Sequence, residues 1–329
     1  MPLYGPSHIL FSIPLGALPL RAVGNFWQTL CLGALAGFSY WTAARSPIVG
    51  SRNRVLLAAT LLGGVLISRA GQSLFELGEP SIIYIPLFWL VLLRYRQDDW
   101  LTAALLMALT GKPTFALPLV VFLAVDRRWR LLLRAGVLLS AAAIPVLALL
   151  VAADGSLSSA LEGLSENARF FAKLDFDARV DIATMVNRLL DVHHLAINVG
   201  VALAVLVPLA LVVRRARAQG TDDRILALLM ALGSVVAMTH ANYDVWMALL
   251  VPAAGALAAV GRQWVAAAIA PAVAIVVLHA PWPVLSRISF PTFCTALCIA
   301  IVGAILVLSW RVLGYGGSVH MSGRAAPVS

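Results

Sequence analysis

Apolar runs recur along almost the whole chain, and arginines gather in the gaps between them. The runs cover 8–20, 24–43, 55–69, 81–94, 100–111, 114–126, 136–153, 195–213, 225–239, 245–260, 264–279 and 291–310. In lipid a chain must satisfy its own backbone hydrogen bonds, so such runs fold as helices. A water-soluble surface cannot be drawn from what remains. Only 12% of the 329 residues are charged and 61% are hydrophobic, with a mean hydropathy of +0.92. Soluble domains carry about 25% charged residues. The pattern predicts an all-α, polytopic membrane helix bundle of about 10–12 segments. One membrane domain is expected over 1–313, with an outer loop at 154–194 and a disordered cytoplasmic tail at 314–329.

A full crossing takes about 20 residues. Segments 24–43, 136–153, 195–213 and 291–310 reach that length comfortably, so the others must be tilted, broken or paired as hairpins. Residues 100–126, divided by Gly111-Lys112-Pro113, read as a re-entrant hairpin that enters and leaves on one side. Arginine placement then alternates correctly. Arg45, Arg52, Arg54, Arg94, Arg96, Arg127, Arg128, Arg130 and Arg134 fall on one side, with Arg214, Arg215, Arg217, Arg224, Arg262, Arg311 and Arg324. Basic residues in short loops mark the cytoplasmic face. The opposite, outer side receives Glu76, Glu79, Asp244 and the acids of the loop 154–194. Short amphipathic helices are expected in that loop, over Leu157–Phe171 and Arg179–Leu190. Segment 8–20, interrupted by Pro14 and Pro19, is expected to sit in the outer half.

The net charge of +9 is accounted for by those loops and does not call for a nucleic-acid partner. Cys31, Cys294 and Cys298 lie inside apolar runs with no C-x-x-C spacing, which predicts small buried apolar residues. No basic n-region precedes an apolar run at the N-terminus, so no signal peptide is read there. His193 and His194 have no acids at ligand spacing, so no metal or other cofactor is expected.

Ionisable groups at membrane depth are costly and become functional candidates. Lys112 is one of two lysines against twenty-two arginines, and it stands at the hairpin tip. A compact ammonium there suits an anionic lipid phosphate, with a snorkelling anchor as the plain alternative. Arg69, Gln72, Glu76 and Glu79 form an outer turn, where Gln72 can both donate to and accept from sugar hydroxyls. His240, Asn242, Tyr243 and Asp244 pack hydrogen-bonding side chains at a membrane boundary, ahead of the interfacial Trp246. Each turn also has a bland reading as a solvated helix break. No P-loop, G-x-S-x-G, H-E-x-x-H or dinucleotide fingerprint occurs. No acid lies deep in a crossing segment, where an ion-coupled transporter places its relay. One-sided polar chemistry is what a lipid-linked donor requires.

The order Tyr4-Gly5-Pro6, Pro14-Leu15-Gly16-Ala17-Leu18-Pro19-Leu20 and Trp27 resembles a stretch found in polyprenol-phosphate-dependent glycosyltransferases of family 87, in the GT-C superfamily. Gly71-Gln72, Gly111-Lys112-Pro113 and Arg127-Arg128-Trp129-Arg130 follow in the family order, so the resemblance spans roughly residues 4–260. It implies a GT-C-type bundle and a mannosyltransferase-like enzyme of the bacterial plasma membrane. Such an enzyme moves a sugar from a polyprenyl-phosphate donor to an acceptor glycan or glycolipid at the outer face. By resemblance, Lys112 neutralises the donor phosphate, Gln72 lines the sugar site, and His240 to Asp244 close the pocket. The catalytic aspartate of the family lies upstream of the position matched by Tyr4, where this sequence has only Met-Pro-Leu. A truncated N-terminus and a degenerate, non-catalytic relative both fit that departure, the first better because the other polar clusters are retained. A lipid-linked sugar transporter or flippase is the remaining alternative.

Overall fold

A computed structural model describes residues 15–16, 18–44, 51–67, 79–156, 158–159, 162, 179–190, 195–238 and 290–314. The described residues form ten α-helices and no sheet. They are α1 Leu20–Ala44, α2 Ser51–Ile67, α3 Ser81–Arg94, α4 Trp100–Leu109 and α5 Pro113–Val125. After these come α6 Trp129–Asp154, α7 Ile182–Leu190, α8 Leu195–Ala218, α9 Asp223–Ala237 and α10 Phe290–Gly314. Among the described residues, three stretches are long and apolar enough to cross a membrane: Trp129–Ala152, Ile197–Ala218 and Pro291–Gly314. The chain is a membrane helix bundle.

α9 is its axis. Every residue from Ile225 to Ala237 is buried, and α9 packs against α3, α5, α7, α8 and α10. A helix that is apolar all round is stable only when neighbours surround it. Small residues allow close approach: a Cβ at Gly233 would overlap the side chain of Leu209 on α8. Phe88 and Phe115, with ring centres 5.4 Å apart, join α3 to α5 in the same core. Cys31, Cys294 and Cys298 are all buried.

The hairpin expected over 100–126 is present as α4 and α5. Asp99 begins α4 by accepting a hydrogen bond from the Thr102 amide at 2.7 Å. That cap satisfies one of the orphan N–H groups of the first turn. α4 ends at Thr110, the chain turns, and α5 starts with Pro113 at its first position. Proline lacks the N–H that would be unsatisfied there, and it drives the preceding Lys112 into extended backbone, φ −124° and ψ 90°. α5 then returns to Asp126, whose neighbour Arg127 closes the turn in the left-handed region at φ 60°.

Both ends of the hairpin lie at one end of the bundle, where the arginines collect. Arg94 pairs with Asp99 at 2.7 Å, and Arg96 with Asp223 at 2.8 Å. Arg134 contacts Asp98 at 3.5 Å, and Arg214 donates to the Val125 carbonyl at 3.2 Å. Arg217 grips Asp126 with two nitrogens, one of them at 2.8 Å, and also donates to the Tyr95 hydroxyl at 2.9 Å. Asp126 receives Arg128 as well, at 3.1 Å. The acids that the alternation leaves on the basic side are therefore held by arginines, or cap a helix in the case of Asp222.

Two expectations need correcting. The helix expected from residue 136 begins at Trp129, so Arg130 and Arg134 belong to its first two turns rather than to a loop. Arginine is a good helix former, and its long stem lets Arg134 reach back to Asp98. The run expected to end at 213 continues to Ala218, carrying Arg214, Arg215 and Arg217 on the helix. Of the two helices expected within 154–194, the Arg179–Leu190 stretch yields α7, whereas Leu157–Phe171 lies largely outside the described residues, as do 245–260, 264–279 and most of 8–20. The tail beyond Gly314 also lies outside them.

Candidate functional site

At the opposite end from the arginines, the hairpin tip meets the start of α3. Lys112 Nζ lies 2.8 Å from Glu79 Oε1 and donates to Ser81 Oγ as well. The Ser81 hydroxyl in turn donates a hydrogen bond to Glu79 Oε1 at 3.2 Å. The ammonium also sits 5.7 Å from the centre of the Phe115 ring, one turn along α5. The side chains of Lys112 and Glu79 are 13% and 20% exposed, so the pair is largely enclosed but remains reachable.

The turn is built to bring Lys112 there. The Lys112 amide donates to the Leu109 carbonyl at 2.9 Å, and the Thr110 hydroxyl to Met107 at 2.6 Å. Gly111 is required by contact: a Cβ on it would overlap the Tyr84 hydroxyl and stand 2.8 Å from the ring carbon Cζ. The tip is thus pressed onto the first turn of α3, which places residue 112 beside residues 79 and 81.

Depth follows from helix length. α4 has 10 residues and α3 has 14, which at 1.5 Å per residue separates Lys112 and Ser81 from the arginine end by about 15–21 Å. That separation is half or more of the roughly 30 Å thickness of a hydrocarbon core. A charge at that depth needs a partner and a protein shell. Glu79, Ser81 and Phe115 supply both.

Of the residues singled out in the sequence, Lys112 and Glu79 are thus brought together. Arg69, Gln72, Glu76, His240, Asn242, Tyr243 and Asp244 lie outside the described residues. α9 starts at the arginine end and runs away from it, so its C-terminus at Ala237 lies toward the Lys112 end. Ser81, Tyr84 and Phe115 were not anticipated; only the Pro80-Ser81 start of a helix gave a local signal for the first.

A second buried polar cluster joins the 179–190 segment to the bundle. Asp181, fully buried, caps α7 by accepting from the Thr184 amide at 2.7 Å and its hydroxyl at 2.8 Å. Asn187 donates to Asn198 on α8 at 2.8 Å, and Arg188 reaches Thr295 on α10 at 3.4 Å. Asp181 is one of the acids of the 154–194 segment. Its Asp-x-x-Thr spacing ahead of Ile182 is the capping signal that marks it out. No group of three His, Cys, Asp or Glu side chains that could hold a metal occurs among the described residues.

An all-helical membrane bundle with an enclosed lysine–carboxylate pair at the tip of a helical hairpin defines a polytopic membrane protein. Residues 3–241 match the model of glycosyltransferase family 87, and the chain belongs to that family. It is accordingly a membrane glycosyltransferase. No curated protein and no solved structure matches the chain.

Proposed function

We propose that this glycosyltransferase moves a mannose-like sugar from a polyprenyl-phosphate donor to an acceptor glycan or glycolipid at the outer face of a bacterial plasma membrane. The observation that carries the reading is the Lys112 ammonium, enclosed beside Glu79 and Ser81 at the hairpin tip. A lipid-linked donor brings its phosphate to membrane depth, where an ammonium in a low-dielectric shell acts far more strongly than in water.

In an inverting transfer the acceptor oxygen attacks the anomeric carbon opposite the phosphate. The bond from that carbon to the phosphate oxygen breaks, and the departing phosphate gains negative charge. Lys112 meets that charge, with its three N–H donors redistributed from Glu79 and Ser81 toward the phosphate oxygens. Gln72, Arg69 and Glu76 line the sugar, and His240, Asn242, Tyr243 and Asp244 close the pocket. The proton of the acceptor hydroxyl goes to a general base. The arginine end then faces the cytoplasm, as the excess of basic residues requires.

The test is transfer by the full chain in proteoliposomes supplied with either a polyprenyl-phosphate sugar or a nucleotide sugar. The reading expects turnover with the lipid-linked donor alone. Turnover with the nucleotide sugar alone would overturn it, and so would transbilayer movement of the donor lipid without transfer.

A further inference from the structure

At the arginine end, away from Lys112, a cavity of about 820 Å³ opens between α1, α3, α8 and α9. Its wall is two-faced. Trp41 on α1 and Trp89, Leu90 and Leu93 on α3 are apolar, while Arg94, Arg96, Arg217, Asp222, Asp223 and Arg224 supply charge. Tryptophan beside a basic cluster is the composition of a membrane interface. Next to Trp41, the Tyr40 side chain is 55% exposed, which continues the apolar wall onto the outside of α1.

The charge is balanced rather than simply basic. Four lining arginines face two lining aspartates. Arg96 and Asp223 pair with each other at 2.8 Å and would part to meet the two ends of a zwitterion, while Asp99 and Asp126 behind the wall neutralise Arg94 and Arg217. A purely anionic ligand would therefore meet Asp222 and Asp223 with little excess positive charge to offset them. Two buried atoms on lining residues, the Arg94 Nε donor and the Asp223 Oδ1 acceptor, make no hydrogen bond. Leaving such groups unsatisfied is costly. Small rotations on ligand entry would give one an acceptor and the other a donor. The volume exceeds what a bare headgroup fills and leaves room for a glycerol and the first acyl carbons.

We propose that this cavity binds a phospholipid whose headgroup carries both a phosphate and an ammonium, as an ethanolamine phospholipid does. The phosphate lies on Arg94, Arg96 and Arg224, the ammonium lies on Asp222 and Asp223, and the chains leave along Trp41, Leu90 and Leu93. The site is separate from the donor site, at the far end of the helices that present Lys112.

The full chain, purified in mild detergent and stripped of lipid, is offered equal amounts of ethanolamine and glycerol phospholipids with identical chains. Native mass spectrometry then counts what stays bound. The expected result is one retained ethanolamine lipid, preferred at least tenfold, with the preference lost in Asp222→Asn/Asp223→Asn. Should that variant not fold, the wild-type melting temperature serves instead: the ethanolamine lipid raises it more than the glycerol lipid or chainless glycerophosphoethanolamine. Equal retention, preference for the glycerol lipid, or equal protection by the chainless headgroup would overturn the proposal.

Discussion

Lys112 and Glu79, thirty-three residues apart in sequence, place ammonium nitrogen and carboxylate oxygen 2.8 Å apart. The contact ties the hairpin tip to the start of α3. Removing one member of an enclosed ion pair leaves a charge without its counterpart and costs more than replacing both members. Lys112→Met and Glu79→Gln are each expected to lower stability by about 2–4 kcal/mol, and the double variant by less than their sum. Thermal unfolding of the four proteins in one detergent gives the coupling; strict additivity would mean that the two side chains act independently.

Gly111 carries the close approach to Tyr84. Gly111→Ala is expected to destabilise the protein by about 1–3 kcal/mol, as overpacking does. Tyr84→Phe removes the oxygen that the new methyl overlaps and should restore part of the loss. Melting temperatures of the single and double variants check this, and a tolerated alanine would show that the tip does not press on α3.

At the arginine end, Asp126 serves Arg217 and Arg128 together and its side chain is only 7% exposed. Asp126→Ala is expected to cost about 3–5 kcal/mol. Arg217→Lys should also be destabilising, because an ammonium cannot reproduce the two-nitrogen grip or the stacking 5.5 Å from the Tyr95 ring centre. Unfolding by heat in detergent measures both.

Hydrogen bonds from Thr102, and then the charge of Arg94, hold the Asp99 carboxyl below the usual aspartate range. A carboxyl with a lowered folded value contributes stability that is fully present above its unfolded value of about 3.9. That contribution is lost as the pH falls through the lowered value. The deficit of Asp99→Asn should therefore be constant from about pH 5 upward and should shrink below about pH 4. Melting temperatures of both proteins across that range give the answer; a deficit that grew on acidification would contradict the assignment.

Much of the architecture is legible in local sequence because lipid leaves few options. The bounds of α3 coincide with an apolar run, and Gly111-Lys112-Pro113 together with the arginine alternation reveals the hairpin. Helix ends were harder. Arg130 and Arg134 read as loop because they are charged, yet helix propensity and snorkelling keep them in α6. The partners of Lys112 were only half visible. Glu79 stood out as an acid near the boundary, but Ser81, Tyr84 and Phe115 matter through contacts that no periodicity encodes. The same holds for Arg217 and Asp126, ninety-one residues apart.

The central claim is that Lys112 receives the donor phosphate. Lys112→Ala alone would remove the ammonium beside Glu79 and confound binding with folding, so the decisive variant is Lys112→Met/Glu79→Gln, compared with Glu79→Gln. Sugar transfer from a polyprenyl-phosphate donor is measured in proteoliposomes containing equal amounts of folded protein. The account predicts that the double variant loses transfer by about 100-fold or more, while Glu79→Gln retains a measurable rate. Equal transfer by the two variants would contradict it.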